Sequence, residues 1–148
     1  MQTTLPVFRV AGLHAIIRVA HQADDLAALW QNWLQGSLKD TLPAFSKTVY
    51  CVRYDYQVDG SFSVIIGYLM ANDTELEATV NDVWLPSQQY QVYTLSEKQY
   101  SAALSVWTQI AQGDLSRRFQ ADFESYPAFG DARVYVGIEG QVDISEEF

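Results

Sequence analysis

A chain of 148 residues has the length of one domain and can bury a core without disulfide help. Its 18 acidic and 9 basic side chains leave a net charge of −9, which argues against a nucleic-acid backbone or an anionic membrane surface as partner. Cys51 is the single cysteine, so no internal disulfide forms, and no apolar run is long enough to span a bilayer.

Met1 to Val10 lacks the basic start and apolar stretch of a signal peptide, so a cytoplasmic location is expected. Leu5 to His21, rich in Val, Ile and Phe, reads as one strand or two short ones. Asp24 and Asp25 suit a helix start, and Leu26, Leu29, Trp30, Trp33 and Leu34 follow at helical spacing up to Gly36. Ser37 to Lys47 reads as a connector with one helical turn. In Val49 to Val58, Tyr50, Val52, Tyr54 and Tyr56 alternate with Cys51, Arg53, Asp55 and Gln57, the period of a strand with one buried face. Asp59-Gly60 marks a hairpin turn, and Ser61 to Ala71 returns as its partner. The acidic stretch Asn72 to Asp82 fits either a loop or a strand.

The second half starts near Trp84-Leu85-Pro86, with a strand from Gln89 to Leu95 and Ser96 as a candidate helix cap. Tyr100, Ala103, Leu104, Trp107 and Ile110 give a helix that Gly113 ends. Arg117 to Tyr126 reads as a strand, Pro127 to Asp131 as a turn and Ala132 to Glu139 as the partner strand. An acidic tail spans 140–148. Each half thus reads strand, helix, strand, turn, strand, with repeat one over about 5–71 and repeat two over about 84–139. This predicts a single α+β domain of duplicated strand-helix-strand-strand units. They pair about a pseudo-twofold axis, with antiparallel sheets and a central groove suited to a ligand.

Reactive motifs are scarce. His14 and His21 have no companion His or Cys cluster for a metal, and the glycines are scattered rather than gathered into a phosphate loop. No Gly-x-Ser-x-Gly elbow is present and lysines are few, so neither a cofactor nor a metal is expected. The informative segment is Ala121-Asp122-Phe123-Glu124-Ser125-Tyr126, where carboxylates interrupt an aromatic strand. A carboxylate buried there needs a partner, because an unpaired buried ion costs several kcal/mol. Arg53 or Arg133 could supply a structural ion pair for Glu124, or the side chain could stay exposed. A cationic ligand among aromatic rings would serve equally, each cation–π contact adding about 0.5–2 kcal/mol.

Val52-Arg53-Tyr54-Asp55-Tyr56, Phe62 to Leu69 and Leu85-Pro86 through Tyr90 to Tyr93 follow one another in order. Asp122-Phe123-Glu124-Ser125-Tyr126 and Arg133-Val134-Tyr135-Val136 complete the series. In that order and spacing the chain resembles the gyrase-inhibitor-like effector-binding domain, which also forms the ligand-sensing part of AraC-type and MerR-type multidrug regulators. The resemblance implies the duplicated fold and a groove with an acid at its base. It places Glu124 at the family's ligand-contacting Glu and Tyr135 at a pocket aromatic on the final strand. Arg133 departs from the pattern, which often has a second Glu near there. Tyr54, Trp84, Tyr90 and Phe45 are further proposed wall residues, although alternation sets Tyr54 on the face opposite Asp55.

No helix-turn-helix is expected before the first strand, so the chain is similar to standalone members carried on integron cassettes. The expected partners are cationic aromatic small molecules (drugs, dyes, quaternary ammonium compounds), held for sequestration or for sensing with a partner regulator. Exposed strand edges leave room for a homodimer. Two other functions stay open. One is hydrolysis of strained electrophilic compounds, with Glu124 as general base beside Tyr126 or Tyr135. The other is inhibition of a DNA enzyme such as gyrase by an acidic surface.

Overall fold

The computed structural model describes residues 1–140, so the acidic tail beyond Gly140 lies outside the described residues. Its strands are β1 (Gln2–Leu5), β2 (Phe8–Ile17), β3 (Val49–Tyr54), β4 (Phe62–Met70), β5 (Asn81–Leu85), β6 (Gln88–Thr94), β7 (Arg117–Tyr126) and β8 (Arg133–Ile138). The helices are α1 (Gln22–Gln35), the single turn α2 (Leu38–Thr41) and α3 (Tyr100–Gln112). All eight strands join one antiparallel sheet in the order β1-β6-β8-β7-β3-β4-β2-β5. This α+β order reads alike from both edges: β3 and β7 meet at the centre, their hairpin partners β4 and β8 flank them, then β2 and β6, then β5 and β1.

Two Leu-Pro steps explain the edges. Proline has no N–H for a ladder, so Leu5-Pro6 breaks the first apolar run into two strands. β1 then pairs with β6, while β2 pairs with β4 and β5. Leu85-Pro86 does the same between β5 and β6. Each half therefore lends its first strand to the edge of the other, and the ambiguous 72–82 stretch ends in β5 at Asn81 and Asp82.

Two other boundaries differ from the sequence expectation. β3 stops at Tyr54 rather than Val58, because Asp55 takes a left-handed φ of 54° that no ladder accommodates. Ser96 caps no helix: residues 96–99 bend, α3 opens at Tyr100, and its N-cap Gln99 makes no side-chain cap bond.

α1 and α3 pack on one face of the sheet. α1 buries Leu26, Leu29, Trp30 and Trp33 against Ala11, Cys51, Val64, Ile66 and Tyr68. α3 buries Ala103, Trp107 and Ile110 against Val134 and Val136. At about 1.5–3 kcal/mol for each large apolar side chain, these stripes hold both helices down. On the other face Val10, Val52, Ile65, Leu85, Tyr90, Val92 and Phe123 cover one another. Gly12 and Gly67 are cross-strand partners at a close backbone crossing. A Cβ on Gly67 would stand 1.8 Å from the Ala11 carbonyl oxygen, so neither position accepts a side chain.

Candidate functional site

β3 and β7 form the floor between α1 and α3. Their register sets Cys51 opposite Glu124, Arg53 opposite Asp122 and Val49 opposite Tyr126. Even-numbered residues of β7 thus face the helices while Phe123 faces away. Glu124 is 2% exposed. Trp107 Nε1 donates to its Oε2 at 2.9 Å, and the Tyr126 hydroxyl donates to its Oε1. Arg53 Nε lies 3.8 Å from Oε2, an ion-pair distance too long for a hydrogen bond. Burial, and then the adjacent Glu124 carboxylate, push the Tyr126 phenol and the Cys51 thiol well above their ordinary values. An anion on either is therefore disfavoured.

A cavity lies toward each end of this floor. The first, about 360 Å³, is bounded by Trp30, Trp33, Val49, Tyr100 and Tyr126. Trp30 of α1 stacks on Tyr100 of α3 with centroids 5.5 Å apart and planes 11° apart, and meets Tyr126 edge-on at 5.2 Å. The second, about 620 Å³, is bounded by Arg53, Tyr56, Phe62, Trp107, Arg117 and Phe119. Here the Arg53 guanidinium lies 4.2 Å from the Trp107 ring centroid, and Arg117 lies 4.3 Å from that of Phe119. An irregularity in β7 between Arg117 and Asp122, with Phe119 at φ 56°, lets Arg117 turn back to Asp122 at 2.8 Å. Tyr126 and Arg53 each stand two residues from the Glu124–Cys51 pair, one toward each cavity. The two ends therefore differ in one decisive substitution, a phenol against a guanidinium.

The residues expected from sequence separate. Glu124 lies on the helix-side floor. Tyr135, Tyr90 and Tyr54 come together on the opposite face, because alternation turns them away from the helices. Tyr135 stacks on Phe123 at 4.4 Å and lines a third cavity of about 290 Å³ with Phe8 and Tyr50. Tyr90 is wholly buried, edge-on to Phe123 and Tyr135, and burial pushes its phenol up to about 12. Tyr54 lies near His14 in the same layer. Trp84 stands on edge strand β5, 47% exposed, with Arg9 against its ring. Phe45 is 70% exposed in the connector before β3. None of these five lines either helix-side cavity, and Glu124 itself borders them only through Tyr126, which lines the first, and Trp107, which lines the second.

The residues that line the two helix-side cavities differ from those singled out in the sequence. Trp30, Trp33, Tyr100 and Trp107 were legible only as helical core positions, and Arg53 only as a partner for Glu124. A usable signal was present: two Trp-bearing helix faces, one from each half, must both cover the sheet. Among the described residues no cluster of His, Cys, Asp and Glu could hold a metal ion. No described helix is long and apolar enough to cross a membrane.

Comparison with known proteins places this geometry. The structure of SAV2435 bound to tetraphenylphosphonium superposes with a TM-score of 0.77 at 15% identity, covering 95% of this chain and 93% of that one. Integron cassette protein VCH_CASS2, from the mobile metagenome of Vibrio cholerae, gives 0.73 at 16% identity, covering 94% and 95%. A putative bacterial transcription regulation protein from Staphylococcus aureus MU50 gives 0.74 at 14% identity, covering 95% and 97%. At these identities the likeness is one of fold. No curated protein sequence matches the chain. The family described as Cass2, integron-associated effector binding protein, matches residues 3–144, and the chain belongs to that family of effector-binding proteins.

Proposed function

We propose that this effector-binding protein takes lipophilic aromatic cations into the groove between α1 and α3, with Glu124 as the fixed counter-charge. The observation that carries the proposal is the state of that carboxylate. It is buried, its hydrogen bonds come from the neutral donors Trp107 and Tyr126, and the nearby Arg53 Nε at 3.8 Å makes none. Such a charge gains from a cation brought close in a low-dielectric groove. The Trp30–Trp33–Tyr100–Tyr126 end is the better seat, since four aromatic rings line it, it lies away from Arg53 and Arg117, and the Lys98 amine on its lining is engaged with the Ala128 carbonyl. Because the Tyr126 hydroxyl donates to Glu124, its ring becomes more electron-rich and a better cation–π partner. SAV2435, which is similar in fold, is bound to tetraphenylphosphonium, which is consistent with this choice of ligand class.

The same proposal treats the described chain as one domain of two strand-helix-strand-strand repeats, related by a pseudo-twofold axis through the Cys51–Glu124 pair. The site then sits on the axis. Both Glu124 oxygens already accept hydrogen bonds, which suits a fixed charge better than a general base, so binding is favoured over hydrolysis. Sequestration and sensing use this same step.

The test is titration with tetraphenylphosphonium, followed by tryptophan fluorescence and calorimetry. Unit charges roughly 7 Å apart at an effective dielectric constant of about 20 attract by about 2 kcal/mol. Glu124→Gln should therefore weaken binding roughly thirtyfold while circular dichroism stays native. Unchanged affinity in a folded Glu124→Gln protein would remove Glu124 from the site.

A further inference from the structure

The larger cavity has the opposite chemistry from the cation seat. Arg53 is 6% exposed, yet its guanidinium makes no hydrogen bond among the described residues, and its Nε is buried without an acceptor. The ring faces of Trp107 and Phe62, at 4.2 and 5.2 Å, flank the guanidinium but offer its N–H groups no acceptor. Arg117, across the same cavity, spends one nitrogen on Asp122 and likewise has a buried Nε with no partner.

The neighbouring carboxylates are already committed. Glu124 accepts from Trp107 and Tyr126. Asp122 accepts from Tyr56, from Arg117 and from the Gly137 amide at 2.7 Å. Guanidinium donors are therefore in surplus, and a guanidinium presents five of them in a planar fork suited to a carboxylate. Tyr56, Phe62, Trp107 and Phe119 line the cavity together with Gln22, Gln57, Thr108 and Gln112, so an aromatic anion can use ring surface that an inorganic anion leaves unpaired. About 620 Å³ holds a bicyclic aromatic and excess space for its acid group.

We infer that this cavity is a second binding site, for a planar aromatic carboxylate, whose acid group pairs with Arg53 and Arg117 while its ring lies among Phe62, Trp107 and Phe119. The groove thus has an anion-accepting end and a cation-accepting end separated by Glu124. This site does not depend on cation binding at the other end, and either can fail without the other.

The experiment is calorimetric titration of the intact protein with 2-naphthoate and with its neutral amide, 2-naphthamide. Saturable one-to-one binding of the naphthoate is expected, with the amide at least tenfold weaker. Arg53→Gln should weaken naphthoate at least tenfold and leave tetraphenylphosphonium affinity unchanged or higher. Should Arg53→Gln fail to fold, Ala111→Glu decides. That position is exposed at the cavity mouth, and a carboxylate there should repel naphthoate several-fold with tetraphenylphosphonium unaffected. Equal affinity for acid and amide, no naphthoate heat up to millimolar concentration, or naphthoate binding untouched by Ala111→Glu would each overturn the inference.

Discussion

Replacing Tyr126 with phenylalanine removes one hydroxyl and leaves the ring that closes the aromatic chamber. That hydroxyl donates to Oε1 of a carboxylate that is 2% exposed. Hydrogen bonds to charged groups contribute about 1.5–3 kcal/mol, and here no water has easy access to replace the donor. The Trp107 bond to Oε2 remains, so the carboxylate is left half satisfied rather than bare. At roughly 3 °C per kcal/mol for a chain of this size, the unfolding midpoint should fall by about 5–9 °C. Thermal and urea unfolding followed by circular dichroism measure this directly. The same substitution in a Glu124→Gln background should cost about 1 kcal/mol less, because the lost bond is then between neutral groups. A loss below about 0.5 kcal/mol, or an equal loss in both backgrounds, would show that Glu124 does not bear the charge assigned to it.

Two further outcomes concern the fold that carries the site. Gly67→Ala should cost about 3 kcal/mol or prevent folding, read from urea denaturation, because its Cβ has only 1.8 Å to the Ala11 carbonyl oxygen and no flexible atom can yield. Stability should also fall with alkali. The Cys51 thiol and the Tyr56 and Tyr126 phenols are held above their ordinary values by burial and by nearby carboxylates. Their stabilising effect is complete below the unfolded values of about 8.5 for the thiol and about 10 for the phenols. It is lost progressively as pH rises past those values, since the unfolded chain sheds protons that the folded one keeps. Urea midpoints at pH 7, 9 and 10.5 should decline in that order, and a flat or rising series would contradict the burial of these groups.

Much of this architecture was legible because it rests on local chemistry. Helical spacing in both halves located α1 and α3, Asp59-Gly60 located a hairpin, and strand alternation in β3 and β7 separated two faces. Glu124 stood out because a carboxylate is conspicuous in an aromatic strand. What the chain order hid was which face each aromatic joins across the sheet. Tyr135, Tyr90 and Tyr54 are strand aromatics like those of many pockets, yet pleating turns them to the layer behind Glu124. Trp30 and Tyr100, 70 positions apart, stack only because α1 and α3 pack on the same face of one sheet. The exchange of β1 and β5 between halves was equally hidden, although the paired Leu-Pro steps that cause it are plain once their strands are known.

The decisive measurement compares tetraphenylphosphonium with tetraphenylborate, two ions of one shape and opposite charge, the second offering no oxygen to Arg53. Saturable quenching of tryptophan fluorescence by the phosphonium, with the borate at least a hundredfold weaker, is the outcome that a carboxylate-centred groove requires. Comparable binding of both ions, with each displacing the other, would mean that the groove recognises bulk and apolar surface alone, and the role given to Glu124 would be wrong.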